Sequence, residues 1–204
     1  MNHDSSQKAV NRHFDERAAS YGEQSERGAW RAVREMELKA VLAEISPLAG
    51  LGVLEVGCGH GWYASRIAPM GPSLYAVTDM LFSMTAAVAA QGVKKAVADL
   101  AHLPVKPVFD RVLCAGALEF VPDPAPFFRE ASLAIKPGGR IVLLAPSTCL
   151  AGKAYRWWHR RHGFSVNLFG LDYIKRMAQA NGLEVRSARR GGLFNLAVSL
   201  EKKQ

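Results

Sequence analysis

The stretch VLEVGCGHGW, residues 53 to 62, constrains the fold more than any other part of this 204-residue chain. An apolar run ends in Gly57, Gly59 and Gly61. Glycine at such a point lets the backbone turn sharply and lets a ligand approach the main chain without meeting a Cβ atom. The third glycine of a dinucleotide fingerprint would stand at position 62, where this chain has Trp62, and no phosphate loop of the form G-x-x-x-x-G-K-S/T occurs. Both departures argue against NAD(P) and ATP.

On the C-terminal side of the loop, short apolar runs alternate with helix-like stretches, the pattern of an α/β protein with a mainly parallel sheet. Strands are predicted at 53–57, 73–79, 95–99, 109–116, 140–146, 183–189 and 195–202. The last two are joined by a short turn at Gly191 and Gly192, so the final strand should run antiparallel to its neighbour. Helices are predicted at 29–45, 61–69, 81–91, 124–136 and 171–181, the first with Ala32, Val33, Met36, Ala40, Val41 and Leu42 at helical spacing. Residues 147–170 receive no assignment. Seven strands and one glycine loop make a single Rossmann-like α/β domain over 1–204, with a doubly wound sheet that is parallel except for its last strand.

Three acids stand on or at the ends of the first three strands: Glu55, Asp79 and Asp99. Parallel α/β sheets bind ligands across their carboxyl edge, so these side chains share an edge with the loop. Asp79, 22 residues after Gly57, stands where a carboxylate can take the two hydroxyls of a ribose. Leu100 follows Asp99 and suits the edge and face of an adenine.

Composition narrows the surroundings. No apolar run approaches the roughly 18 residues of a membrane span, and the first residues resemble neither a signal nor a transit peptide, so a cytoplasmic location is expected. Cys58, Cys114 and Cys149 form no C-x-x-C pair, which predicts buried free thiols and no metal site. The net charge of +8 belongs wholly to residues 151–204, with eleven lysines and arginines against three acids, while the first 150 residues carry fifteen of each. That last quarter is expected to face an anionic substrate, phosphates or an acidic lipid surface, the alternative being a solvated basic face. Its densest part is YRWWHRRH, residues 155 to 162.

Taken together, the motifs resemble the class I S-adenosylmethionine-dependent methyltransferases, in their small-molecule branch with ubiquinone- and menaquinone-biosynthesis-like members. Val53 to Gly61 is similar to that family's first motif, Asp79 to Met84 to its second, and Ala98-Asp99-Leu100 with Leu103-Pro104 to its third. The stretch 109–147 is similar throughout to the fourth strand, following helix and fifth strand, and Phe14, Asp15, Ala18 and Tyr21 match the spacing of an N-terminal lid helix, placed within 1–28. The resemblance implies the sheet order 3-2-1-4-5-7-6 and S-adenosylmethionine as methyl donor, leaving S-adenosylhomocysteine. Gly57, Cys58, Gly59 and Gly61 would wrap its methionine part, Glu55 would order the loop, and Asp79 would hold the ribose. Asp99 would accept from the adenine amino group between Leu100 and Met80, with Cys114, Ala115 and Gly116 beneath the sulfonium. Two departures stand out: His60 replaces the usual Thr or Ser, and Phe120 replaces a His that many relatives carry after Leu-Glu.

Methyl transfer to a small molecule, anionic or lipid-like, is therefore expected. The residue types leave no evident catalytic group beyond the weak candidates Tyr21 and His159 among the tyrosines and histidines. Residues 147–170 are expected to form a substrate lid in which Tyr155, Arg156, Trp158 and Arg160 meet the acceptor. The other readings are a nucleic-acid methyltransferase, which the Ala115-Gly116-Ala117-Leu118 strand end does not favour, and an inactive cofactor-binding partner protein. Peripheral membrane contact through the basic last quarter stays open.

Overall fold

The computed structural model describes residues 11–12, 14–15 and 28–203. Tyr21 and most of the N-terminal lid region lie outside them. In chain order the elements are α1 (Ala29–Ile45), β1 (Gly52–Val56), α2 (Ala64–Ile67), β2 (Leu74–Asp79), α3 (Phe82–Ala87), β3 (Lys94–Val97) and β4 (Phe109–Ala115). There follow α4 (Ala125–Ala134), β5 (Ile135–Pro146), α5 (Leu150–Arg161), α6 (Leu171–Ala180), β6 (Leu183–Arg190) and β7 (Asn195–Lys202).

β1 is buried at every residue because it is central: β2 and β4 flank it in parallel register. The seven strands take the order β3-β2-β1-β4-β5-β7-β6, and β7 pairs antiparallel with both β5 and β6. Alternate side chains divide the core between the two faces of the sheet. Leu54, Val112 and Leu143 join Phe127, Phe128 and Ala131 of α4 and Ile174 and Ala178 of α6. Val53, Leu113 and Val142 join Val41 and Ile45 of α1 and Ala64 and Ile67 of α2. The sheet is thus covered on both sides, and its carboxyl edge is the side left for a ligand.

Several boundaries differ from expectation, each for a local reason. The helix expected at 61–69 is α2 alone, followed by a 3₁₀ turn at Ala68–Met70 that contains Pro69. α3 stops at Ala87, and Val88 turns inward where a Cβ on Gly61 would meet it at 2.8 Å. β5 begins at Ile135 rather than 140, through a register shift opposite Phe109 to Arg111 that leaves Gly138 at a φ of 72°. In α1 the buried stripe is Val33, Glu37, Ala40, Val41, Glu44 and Ile45, while Ala32 and Met36 are exposed. Two glutamates face inward because the sheet offers them partners. Asn195 Nδ2 donates to Glu37 at 2.6 Å, and both Ser187 and Arg189 bond to Glu44.

The unassigned stretch holds α5, twelve residues long, capped by Cys149, whose Sγ accepts from Gly152 N at 3.4 Å. Cys149 is exposed, unlike buried Cys58 and Cys114, because it stands at this helix start rather than in the core. Gly152 is the helix's one buried residue, and a Cβ there would lie 1.9 Å from the Ser147 carbonyl oxygen. Gly152→Ala is expected to push the start of α5 off the end of β5 and cost roughly 1–3 kcal/mol, measured as a lower urea midpoint.

Candidate functional site

The glycine loop is built against the end of β2. Gly57 N and Cys58 N both donate to the Thr78 carbonyl, at 2.8 and 2.9 Å, and Gly61 N closes a turn on Cys58 O at 3.0 Å. Asp79 completes the clamp: its Oδ2 accepts from Gly59 N at 2.9 Å and its Oδ1 from Leu81 N at 3.0 Å. Partial burial raises the Asp79 pKa, and these N–H donors oppose that rise. Each carboxylate oxygen keeps a further acceptor site for a ligand hydroxyl. Gly57 has a φ of 70° with Ala117 against it, whereas a Cβ on Gly59, at a φ of 53°, would meet no atom within 4 Å. Gly59 borders open space.

That space is a cleft along the carboxyl ends of β1, β2 and β4. Gly57, Cys58, Gly59, Asp79, Met80, Asp99, Leu100 and Ala115 all line it. The Asp99 carboxylate is oriented by Ala101 N at 2.9 Å, and Met80 and Leu100 supply apolar wall. Three expected residues stand behind this wall. Glu55 is 2% exposed and accepts from the Tyr75 hydroxyl at 2.5 Å, so it braces β1 against β2 below the loop. Gly61 packs on Val88, and Cys114 is buried beneath Ala115, its thiol pKa raised by burial.

The expected acceptor residues are not on the wall. Tyr155 stacks on Phe194 at 4.4 Å between ring centroids, and Arg156, Trp158 and Arg160 are exposed. The reason is the phase of α5, which turns only Gly152, Tyr155 and His159 toward the protein. His159 reaches the cleft indirectly, with its ring 5.9 Å from that of Phe120, which does line it. Phe120 also meets Phe14, edge to face at 5.2 Å, so a residue of the N-terminal region borders the same cleft.

Sequence reasoning missed further wall residues, among them Asn11, Arg34, Trp62, Tyr63 and Val121. Trp62 and Tyr63 adjoin the loop and were within reach of a spacing argument. Arg34 comes from α1, whose inward face is visible only once the sheet supplies partners for Glu37 and Glu44. Its guanidinium lies 3.6 Å from Glu37 and 5.6 Å from the centre of the Trp62 ring, which Arg66 covers at 3.8 Å.

Two buried carboxyls next to the cleft titrate far from their ordinary range. Burial pushes both Glu55 and Glu119 up to about 8. A carboxyl whose pKa is raised by folding holds its proton more firmly in the folded state, so its contribution falls as pH rises from the ordinary carboxyl range through about 8. Glu55→Gln should therefore gain on the wild type by a few kcal/mol between about pH 5 and pH 8.5. Urea midpoints of both proteins at the two pH values check this, and a constant gap would contradict a buried, protonated Glu55.

Comparison with known proteins agrees with this geometry. The family model for the methyltransferase domain matches residues 29–188. The ubiquinone biosynthesis O-methyltransferase of Xanthomonas axonopodis pv. citri is 30% identical over 154 residues, which are 72% of this chain and 59% of that enzyme. That of Xylella fastidiosa is 29% identical over 64% of this chain and 52% of its own length. The chain thus spans little more than half the length of these relatives. Among solved structures, magnesium protoporphyrin IX methyltransferase of Synechocystis PCC 6803 with bound S-adenosylhomocysteine superposes with a TM-score of 0.76 at 15% identity, covering 96% of this chain and 99% of that one. An S-adenosylmethionine-dependent methyltransferase of Thermotoga maritima superposes with a TM-score of 0.75 at 19% identity, covering 94% and 99%. The fold and the glycine-loop cleft are those of the class I S-adenosylmethionine-dependent methyltransferases. The chain belongs to the methyltransferase-domain family, and S-adenosylmethionine is its cofactor.

Proposed function

We propose that this protein methylates an oxygen of a small organic acceptor, anionic or lipid-like, in a biosynthetic pathway. The observation that carries the reading is the cleft itself, with an open glycine loop, a backbone-held Asp79 and an apolar wall on one edge of the sheet. Similarity to ubiquinone biosynthesis O-methyltransferases favours an oxygen acceptor over nitrogen or carbon.

In this reading Gly57, Cys58 and Gly59 cradle the methionine part of the donor, and Asp79 binds both ribose hydroxyls. Met80 and Leu100 flank the adenine, and Asp99 accepts from its amino group. Glu55, Gly61 and Cys114 support that wall from behind. The bound donor supplies an activated methyl group on a sulfonium. The chain's own contribution is alignment, which is worth up to about 7–11 kcal/mol when the reacting atoms are held in line. Phe120 offers the acceptor an apolar ring and no proton acceptor, and Tyr21 and His159 are left as the candidates for that role. Residues 147–170 together with Phe14 close the acceptor side. The domain acts from the cytoplasmic compartment. Among the described residues no helix is long and apolar enough to cross a membrane.

Incubation with S-adenosylmethionine and a panel of simple phenols and catechols, read by mass spectrometry, tests the acceptor class. A product heavier by one CH₂ unit is expected from at least one of them. Methylation of simple amines in a parallel panel, with none of the phenols or catechols modified, would move the acceptor atom to nitrogen.

A further inference from the structure

The outward side of YRWWHRRH is not used by the cleft, and its placement on α5 shows two faces. Gly152, Tyr155 and His159 turn inward, and the opposite side carries Leu150, Ala154, Trp157 and Arg161 at i, i+4, i+7 and i+11, one stripe of a helix. Leu150 is 84% exposed, Trp157 58% and neighbouring Trp158 51%, so three large apolar side chains lie in solvent on one twelve-residue helix. Lys153, Arg156 and Arg160 flank the stripe, and the Arg161 guanidinium covers the Trp157 ring at 4.5 Å. Single exposed apolar residues are ordinary, but a stripe of them rimmed by cations marks a contact surface.

The fate of the +8 charge sharpens the point. Arg186 pairs with Glu201 and Arg189 with Glu44, Lys203 pairs with Glu184, and Arg190 and Lys202 donate to backbone carbonyls. Among the described residues no acid pairs with Lys153, Arg156, Arg160 or Arg161, and α5 itself contains none. Lys175 and Arg176 of α6 are exposed as well, but the largest group of cations without an acid partner in the basic quarter lies on the helix that exposes the tryptophans. α5 leaves the carboxyl end of β5, on the sheet edge where the cleft opens, and Phe82, 74% exposed, comes just after β2 on that same edge.

We infer that α5 is an interfacial helix that docks this sheet edge on an anionic lipid bilayer, with Leu150, Trp157 and Trp158 in the headgroup boundary and Lys153, Arg156, Arg160 and Arg161 against lipid phosphates. A basic helix with an apolar stripe lies in the membrane plane, and tryptophan suits the interface because one end of its ring system is apolar and the other donates a hydrogen bond. A nucleic acid would match the cations but would leave the Leu150–Trp157 stripe in water. Docked in this way, the cleft mouth faces the lipid, and an acceptor with an apolar tail could enter without crossing water.

Sedimentation of the full chain with vesicles tests this. Binding is expected to mixed phosphatidylglycerol–phosphatidylcholine vesicles and not to phosphatidylcholine alone, with an affinity that falls with salt. Arg156→Gln/Arg160→Gln/Arg161→Gln should weaken binding by roughly a hundredfold, at about 1 kcal/mol for each cation near the surface. Trp157→Gln/Trp158→Gln should weaken it at all salt concentrations, and Leu150→Gln, at a position almost fully in solvent, gives a second apolar variant that leaves the fold intact. The S-adenosylhomocysteine thermal shift should be the same in all of these proteins, which separates loss of docking from loss of the cofactor site. Equal binding to both vesicle types, no binding to either, unchanged binding by the variants, or retention by a duplex RNA that vesicles fail to displace would each overturn the proposal.

Discussion

Asp79→Ala is expected to remove most of the rise in melting temperature that S-adenosylhomocysteine gives the wild type, and to weaken its binding by roughly 150- to 25,000-fold in calorimetry. Two losses combine. The ligand loses two hydrogen bonds to a charged acceptor, each worth about 1.5–3 kcal/mol. The Gly59 and Leu81 amides also lose the carboxylate that holds them at 2.9 and 3.0 Å, so the loop's shape relaxes. Asp79→Asn separates the two, since its carbonyl can still accept from one amide. It should bind better than the alanine variant and worse than the wild type. Equal thermal shifts in all three would refute a ribose at Asp79.

Gly57→Ala is expected to cost the fold about 2–5 kcal/mol, while Gly59→Ala costs about 1–2 kcal/mol. Both glycines have positive φ and share the penalty for a Cβ in the left-handed region. Only Gly57 adds a collision, because its Cβ would lie 2.3 Å from that of Ala117, in the turn after β4 that shapes the cleft floor. At Gly59 the Cβ points into open cleft, so the larger effect there is on ligand affinity. Denaturant midpoints and S-adenosylhomocysteine affinity measured on both variants check the pair. The discriminating result is a large midpoint shift at 57 and a large affinity shift at 59.

The β1–loop–β2 unit was legible because it is local. Three glycines after an apolar strand, and an acid at the end of the next strand, lie within 27 residues and obey rules of backbone geometry. The antiparallel β7 followed from the short turn at Gly191 and Gly192 and the strand order from the family resemblance, and both agree with the observed sheet. The parts that were not legible depend on long-range partners. The inward glutamates of α1 face Asn195, Ser187 and Arg189, more than 140 residues away, and no periodicity in 29–45 announces them. Their phase is also what brings Arg34 to the cleft. α5 escaped notice for a related reason. It is apolar or aromatic on two opposite sides and cationic between them, so no single apolar stripe stands out. The same ambiguity made Trp158 and Arg160 look like cleft residues, when the side turned inward is the one with Tyr155 and His159.

The most direct measurement is the fate of a radiolabelled methyl group. S-adenosylmethionine carrying the label is incubated with the protein and, in parallel, with total small-molecule and lipid extract, total RNA and total protein from one cell lysate. Label that moves into the small-molecule or lipid fraction with wild type, and fails to move with Asp79→Ala, is the result expected for a small-molecule methyltransferase working from this cleft. Label that moves only into RNA or protein, or that moves equally well with Asp79→Ala, would contradict it.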